Sequence, residues 1–457
     1  MNTKSRTEMV ALTRLAMPLV AAQLLESGIG FVDTIMIGRV GPVELAAIAM
    51  GNSVWITLML FGKGVLMAIS PSVASLRGAG QHEEITPVVR QGLWLGLALG
   101  GLVFVALRHA RSVFVLAGIE ASVIPIACDY LDAVSWGIPA YLIAAALRLF
   151  SEGIARTTPV LWVSLVGLVV NIVGNTVLIF GAFGLPPLGA RGCGIATAIG
   201  MWCCLAAWLL VMSVSDHHRA HGLFSSLSLP SWRRMRALLH LGLPIGFSIL
   251  LEAGIFSAVA FLLGRIGAVA TAAHQVAINV AAMTFMVPQG LGMATTVRVG
   301  HAMGAGDLAE ARFRGFLGIK LAILFMTAMS VLIFVARRTI AGVYTGDASV
   351  IDLAAELLQW VALFQISDGL QVAAGGALRG LKDTRIPLAM VLVAYWAVAF
   401  PLAWFSAPSP LGANGPWLAL IAGLTVAAVL LTWRFSRKTQ RMIGQTMMSQ
   451  RIIGQRR

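Results

Sequence analysis

Apolar runs long enough to cross a bilayer recur along this chain, and nothing else in the sequence limits its fold as much. They lie at roughly 9–37, 46–76, 88–107, 126–150, 158–183, 190–213, 236–263, 272–300, 313–336, 351–379, 387–406 and 413–434. Hydrocarbon offers no water to backbone N–H and C=O groups, so each run must close its own hydrogen bonds, and the helix is how a single run does so. The expected fold is therefore all-α, a polytopic membrane protein of about twelve transmembrane helices. Composition points the same way. Hydrophobic residues make up 58% of the chain and charged residues only 11%, with mean hydropathy +0.86. Soluble domains sit near about 45–50% and 25%. Several runs exceed a minimal span, which allows tilt or extension past the lipid.

The formal charge of +14 does not point to nucleic acid, because the basic residues sit in short loops between apolar runs. With the N-terminus placed inside, inner loops, helix ends and tails collect about 25 Lys and Arg, outer ones about 7, and Lys63 falls within a span. That bias places both termini in the cytoplasm, as an even helix number requires, with anionic inner-leaflet lipid as a partner for the basic loops. The opening MNTKSRTEMV leads into a long apolar run without an evident cleavage site, so it reads as a retained first helix. Cys128, Cys193, Cys203 and Cys204 form no CxxC pair and read as small packing residues.

The longest hydrophilic connection, SVSDHHRAHGLFSSLSLPSWRRMR, falls midway and lands inside. It prompts a search for a repeat. The first half contains MPLVAAQLLESGIGFVDTIMIGRVG and the second LPIGFSILLEAGIFSAVAFLLGRIG. At a constant offset of 226, Pro18 pairs with Pro244, Glu26 with Glu252, Arg39 with Arg265 and Gly64 with Gly290. Further on, ARTTP and KDTRIP align Pro159 with Pro387 at an offset of 228. The expected organisation is an N-terminal six-helix bundle (1–213), a cytoplasmic linker (214–235), a C-terminal six-helix bundle (236–436) and a basic cytoplasmic tail (437–457). Halves of six helices insert with the same orientation, so their symmetry axis runs along the membrane normal. A substrate site is then expected near the midplane, between or within the bundles.

Such a site needs polar groups, and those that break the repeat stand out. Asp33 faces Val259 in the other half, and Asp368 in WVALFQISDGLQVAAGG faces Ala140. Asn171 and Asn175 are four apart and share a helix face. Acids at bilayer depth cost several kcal/mol and are functional candidates by default. Asp33, Glu252 and Asp368 are accordingly candidate cation or proton sites. The bland alternatives are an acid capping a neighbour near a helix end, for Asp33, and a structural hydrogen-bonded pair, for Glu252 and Asp368. Glu26 either faces the cavity like its repeat mate or belongs only to the inherited helix pattern. Asn171 and Asn175, and Gln275 with Asn279, are cavity-lining candidates that interhelical hydrogen bonding explains equally well. Lys63 either snorkels or pairs with an acid.

His217, His218 and His221 form an HHxxH group, but no Glu or Cys joins them at metal-site spacing, and a solvated loop is expected. Met and Phe residues are mostly helix packing, with room for an adaptable apolar binding surface. No Walker A, HExxH or GxSxG pattern occurs, so neither an ATP-driven pump nor an enzyme has a visible engine, and no cofactor is expected. A channel would need a continuous polar pore, which the repeat does not offer.

The two-half layout, FVDTIMIGRVG followed by ELAAIAMGNSVW, the Asn171-xxx-Asn175 pair and GALRGLKDTRIP together resemble the multidrug and toxic compound extrusion (MATE) family, in its NorM-type bacterial branch, over nearly the whole chain. The resemblance implies a V-shaped pair of bundles in the bacterial inner membrane. It implies rocker-like alternating access that exports amphipathic, often cationic, organic compounds in exchange for Na⁺ or H⁺, by a protein expected to act as a monomer. It implies an N-bundle polar site of Asp33, Asn171 and Asn175 and a C-bundle acidic site of Glu252 and Asp368, either of which could take Na⁺. Phe364 stands where related proteins can carry a tyrosine, so no hydroxyl is offered there, and Na⁺ and H⁺ stay open. The alternative of related design is a lipid-linked saccharide flippase, whose cavity should be basic to hold phosphate.

Overall fold

The computed structural model describes residues 3–116, 118–225 and 228–455. Residues 226–227 of the expected linker and 456–457 of the expected tail lie outside the described residues. Among the described residues the regular secondary structure is all helical, joined by turns and loops. The first half comprises α1 (Thr3–Gly38), α2 (Pro42–Leu66), α3 (Ile69–Gly78), α4 (His82–Arg108), α5 (Ala110–Leu116), α6 (Val123–Ser135), α7 (Ile138–Gly153), α8 (Thr158–Phe180) and α9 (Gly189–Val214), followed by the short α10 (Asp216–Arg219). The second comprises α11 (Trp232–Ile266), α12 (Ala268–Gly304), α13 (Leu308–Tyr344), α14 (Ala348–Gly380), α15 (Arg385–Leu392), a π-helical stretch Val393–Ala399, α16 (Phe400–Ser406) and α17 (Asn414–Gln455). Among the described residues 11 helices are long and apolar enough to cross a membrane, or up to 12 when α6 and α7 count as one span bent by 47°.

Local chemistry explains where these helices start, bend and stop. Asp307 caps α13 by accepting from Glu310 N at 2.8 Å, and Asp347 caps α14 by accepting from Ser349 N at 2.8 Å. Gly181 ends α8 with φ of 77°, a left-handed conformation that costs glycine nothing. The bend between α6 and α7 falls at Gly137, where a Cβ would come within 2.7 Å of Ala198 Cα on α9. The π-helical stretch ends beside Pro401. A proline there cannot donate to Ala397 and crowds its carbonyl, which is a recognised cause of a local change in helix pitch. Leu102, Leu324 and Val335 project outward at 65%, 69% and 76% exposure, which water would penalise and acyl chains do not.

The chain divides into two compact units, and the division does not fall at the hydrophilic linker. One unit contains residues 1–20, 78–80 and 247–457, the other residues 21–77 and 81–246. The boundaries therefore lie inside α1 and α11, each two residues past a proline, Pro18 and Pro244. In the first unit the start of α1 is tied to the C-terminal half. Glu8 pairs with Arg298 of α12 and, at 3.4 Å, with Arg314 of α13, while Lys4 meets Glu310 at 2.7 Å. In the second unit the start of α11 lies on α2, so closely that a Cβ at Gly242 would overlap the Val65 carbonyl.

The linker is stapled to α4 rather than loose. Arg90 donates to the Leu223 and Gly222 carbonyls at 2.7 and 3.0 Å. Gln91 donates to Leu229 O at 3.1 Å and accepts from Ser231 N at 2.7 Å, and Trp94 donates to Ser228 O at 2.9 Å. The expectation of a solvated histidine cluster fails at His218, which is 1% exposed. Its Nε2 and Nδ1 lie 2.9 Å from the hydroxyls of Ser151 and Ser215, and its ring meets Phe150 edge-on. Two short polar partners and an aromatic wall let this imidazole be buried at little cost, which the sequence spacing could not reveal.

Candidate functional site

The unit built on residues 21–77 and 81–246 encloses a cavity of about 510 Å³. Its walls are largely apolar, with Ile29, Ile56, Met59, Leu60, Val163 and Met201 among them, and its polar groups gather at two places. At the first, α1 presents Asp33, which is 4% exposed. Asn171 and Asn175 of α8 both donate to Asp33 Oδ1, at 3.1 and 2.6 Å, and Asn175 also donates to Asn171 Oδ1 at 3.3 Å. The four-residue spacing of the asparagines is what lets one helix deliver both amides to one oxygen. The buried Cys193 thiol of α9 lies beside Asp33. Beside them Trp55 Nε1 donates to Asn52 Oδ1 at 2.7 Å and Tyr130 OH donates to the same oxygen at 2.6 Å. Two buried oxygens here, Asn175 Oδ1 and Thr197 Oγ1, have no partner within the described protein. Unmatched buried oxygens near a carboxylate suit a hard cation or water, so this donor set fits Na⁺ in kind.

At the second place, Glu26, two turns earlier on α1, joins a network of charges. Arg148 of α7 pairs with Glu26 and donates to Glu152 at 2.9 Å and to Gln23 at 3.1 Å. Ser164 of α8 donates to Glu26 at 3.2 Å, and Lys63 Nζ of α2 stands 3.5 Å from the other Glu26 oxygen. This answers the open question for Lys63, which pairs with an acid. Arg148, which the sequence reading did not single out, also lines the cavity. The apolar run around it hid the charge, and the Arg148–Glu152 spacing of four was the signal available.

The other unit gathers the second set of acids. Asp368 of α14 is 2% exposed, and Glu252 of α11 lies within reach of its charge. The Gln371 side chain and the Arg379 guanidinium lie near Glu252. Tyr395, presented by the π-helical stretch, is fully buried close enough to Glu252 and Asp368 to feel both charges, and its hydroxyl has no hydrogen-bond partner among the described residues. Gln371 Oε1 is likewise without one. Tyr395 therefore places a hydroxyl in the neighbourhood of this acid pair without hydrogen-bonding either acid. Phe364 is 2% exposed and packs edge-on against Phe256 and Trp417, with centroids 6.0 and 5.9 Å apart. Gln275 donates to Asn279 Oδ1 at 3.2 Å along α12.

Fold and site together define a multi-pass membrane protein of two internally related halves, with acids turned inward on each. The sequence matches the MatE family over residues 18–177 and again over 244–405, and the two matches begin 226 residues apart, the spacing of Pro18 and Pro244. The chain belongs to that family, the multidrug and toxic compound extrusion transporters. It is 40% identical over 448 residues to the multidrug resistance protein PmpM of Pseudomonas aeruginosa, covering 96% of this chain and 94% of that one. It is 41% identical over 429 residues to a probable multidrug resistance protein NorM of Xanthomonas campestris, covering 94% of each. In fold it resembles an outward-facing multidrug resistance MATE family transporter, with a TM-score of 0.88 at 19% identity over 96% of this chain and 97% of that one. It also resembles the eukaryotic MATE transporter AtDTX14, with a TM-score of 0.84 at 21% identity over 96% and 99%.

Proposed function

We propose that this chain is a secondary active multidrug exporter of the bacterial inner membrane, with both termini cytoplasmic. It would exchange amphipathic organic cations for Na⁺ or H⁺ by alternating access, as a monomer. The observation that carries the reading is Asp33, a buried carboxylate in a mostly apolar cavity of about 510 Å³, a volume that suits a drug-sized ligand. The names of PmpM and NorM support the drug-export half of it.

The mechanism follows from the charge. A carboxylate in a low-dielectric wall is stable only when compensated. A proton, a sodium ion or the cationic head of a drug can each compensate Asp33, and the Asn171 and Asn175 amides hold its carboxylate in place for all three. Binding of one excludes another, which couples cation entry to drug release, provided each favours a different state of the transporter. One charge crossing 100 mV is worth about 2.3 kcal/mol, so export of a monocation against import of one cation leaves only the ion gradient as drive. Each tenfold of drug gradient needs about 1.4 kcal/mol, so a second cation, taken by Glu252 and Asp368, would help. The flippase alternative is less well supported, because the cavity's two basic side chains are both engaged with carboxylates and leave none for phosphate.

Purified protein in liposomes loaded with a fluorescent organic cation tests this. Dye movement driven by an imposed Na⁺ or H⁺ gradient, and lost in Asp33→Asn, is the expected result and names the ion. Equal transport by wild type and by both Asp33→Asn and Asp368→Asn would sink it.

A further inference from the structure

The cavity around Asp33 carries more charge than one bound cation requires. Asp33, Glu26, Lys63 and Arg148 line it, and Glu152 stands behind Arg148. Arg148 is fixed by three acceptors at once, Glu26, Glu152 and Gln23, and its side chain is 9% exposed. Lys63 is the loosest member. It sits 3.5 Å from Glu26, its side chain is 21% exposed, and its stem is flexible.

The two acids of α1 are seven residues apart, which is 20° short of two full turns and about 10 Å along the axis. They face the same side of the helix and open onto the same cavity. Without Lys63, that arrangement would be two anionic seats for a ligand bearing two positive groups about 10 Å apart. Lys63 fills one seat with a cation of the protein's own. With its carboxylates ionised, the wall then has one negative charge in excess, and a single monovalent cation neutralises it. A dication would bring a second charge with no partner into a low-dielectric space.

We propose that Lys63 is a specificity residue, a tethered counter-cation on Glu26 that makes the cavity select monovalent over divalent organic cations. This rests on the reading of the chain as a transporter of cationic compounds and adds to it the charge of the substrate.

Ethidium and propidium test the idea as a matched pair, since they share one phenanthridinium ring and propidium adds a quaternary ammonium on an alkyl tail. Binding of each dye to the purified full-length protein is followed by fluorescence. In Lys63→Met the ratio of the two dissociation constants shifts about tenfold toward propidium, equivalent to about 1.4 kcal/mol. Lys63→Arg, which keeps the charge, keeps the wild-type ratio, and adding Glu26→Gln to Lys63→Met abolishes the shift. Lys63→Gln removes the charge with a side chain that still hydrogen-bonds, so misfolding of one neutral variant leaves the other to decide. An unmoved ratio in the neutral variants, with Asp33→Asn still losing ethidium, overturns the role of Lys63 and leaves the transporter reading standing. Ethidium binding undiminished in Asp33→Asn, or no binding of either dye to wild type, overturns both.

Discussion

Arg148 shows how a single side chain can be structural and still shape a binding cavity. It holds two carboxylates, Glu152, which is 1% exposed, and Glu26, which lines the cavity. Removing one partner of such a group leaves buried charge behind, which costs about 3–5 kcal/mol, whereas removing charge in pairs costs much less. Arg148→Met should therefore lower the detergent-solubilised melting temperature sharply, and Arg148→Met with Glu152→Leu should recover part of the loss, with Lys63 left to compensate Glu26. No recovery in the double variant would show that Arg148 acts by packing rather than by charge. At this scale the sequence was legible where a polar residue interrupted an apolar run, as with Asp33, Asn171, Asn175 and Asp368. It was illegible where the residue sat near a run's end, as with Arg148. Tyr395 was missed because a tyrosine in a membrane helix is ordinary until its hydroxyl is found buried without a partner. Lys63 carried a further unused signal, since its repeat mate at the 226 offset is Gln289, so the charge is particular to one half.

Among the elements, the segment joining α9 to α11 departs most from its sequence reading. Its polarity is real, but the polar groups are spent on α4 and α7 rather than on water. Burial pushes the His218 imidazole down to about 4, with the neighbouring His221, His217 and Arg156 adding to the effect. The unfolded segment would protonate near 6.5, so between about pH 6.5 and 4 it binds more protons than the folded one. Stability from this contact is complete above about pH 6.5 and is lost as pH falls toward 4. Hydrogen-exchange protection at residues 215–225, corrected for the intrinsic exchange rate at each pH, should fall over that window, and His218→Gln, which has no comparable titration, should flatten the dependence. An equally steep profile in His218→Gln would move the cause elsewhere. The spans themselves were readable from length and hydropathy alone. The bend at Gly137 and the π-helical stretch before Pro401 were not, because both arise from close packing and from one missing N–H rather than from composition.

For the whole molecule, the repeat located two related halves, while the compact units exchange their first helical segments. Residues 1–20 belong with the C-terminal half, and residues 232–246 belong with the N-terminal half. The sequence could not show this, since similarity aligns α1 with α11 along their full lengths and says nothing of which partner each end packs on. The physical consequence concerns where the chain can be cut. A fragment ending at 213, the boundary drawn from sequence, loses the start of α11, and with it the backbone that lies against Val65 at Gly242 and against Phe61 at Gly246. It also loses the acceptors that satisfy Arg90, Gln91 and Trp94. Gln91 is buried, and a buried donor left without a partner costs about 1–3 kcal/mol, to which the vacated α2 face adds lost packing. A fragment of residues 1–246 keeps all of these. Expressed separately and solubilised in the same detergent, the 1–246 fragment should stay monodisperse to a higher temperature than the 1–213 fragment. Adding Gly242→Leu, which cannot fit against the Val65 carbonyl, should erase the advantage. If the two fragments aggregate at the same temperature, the start of α11 contributes nothing to its unit, and the boundary at the hydrophilic linker is the physical one after all.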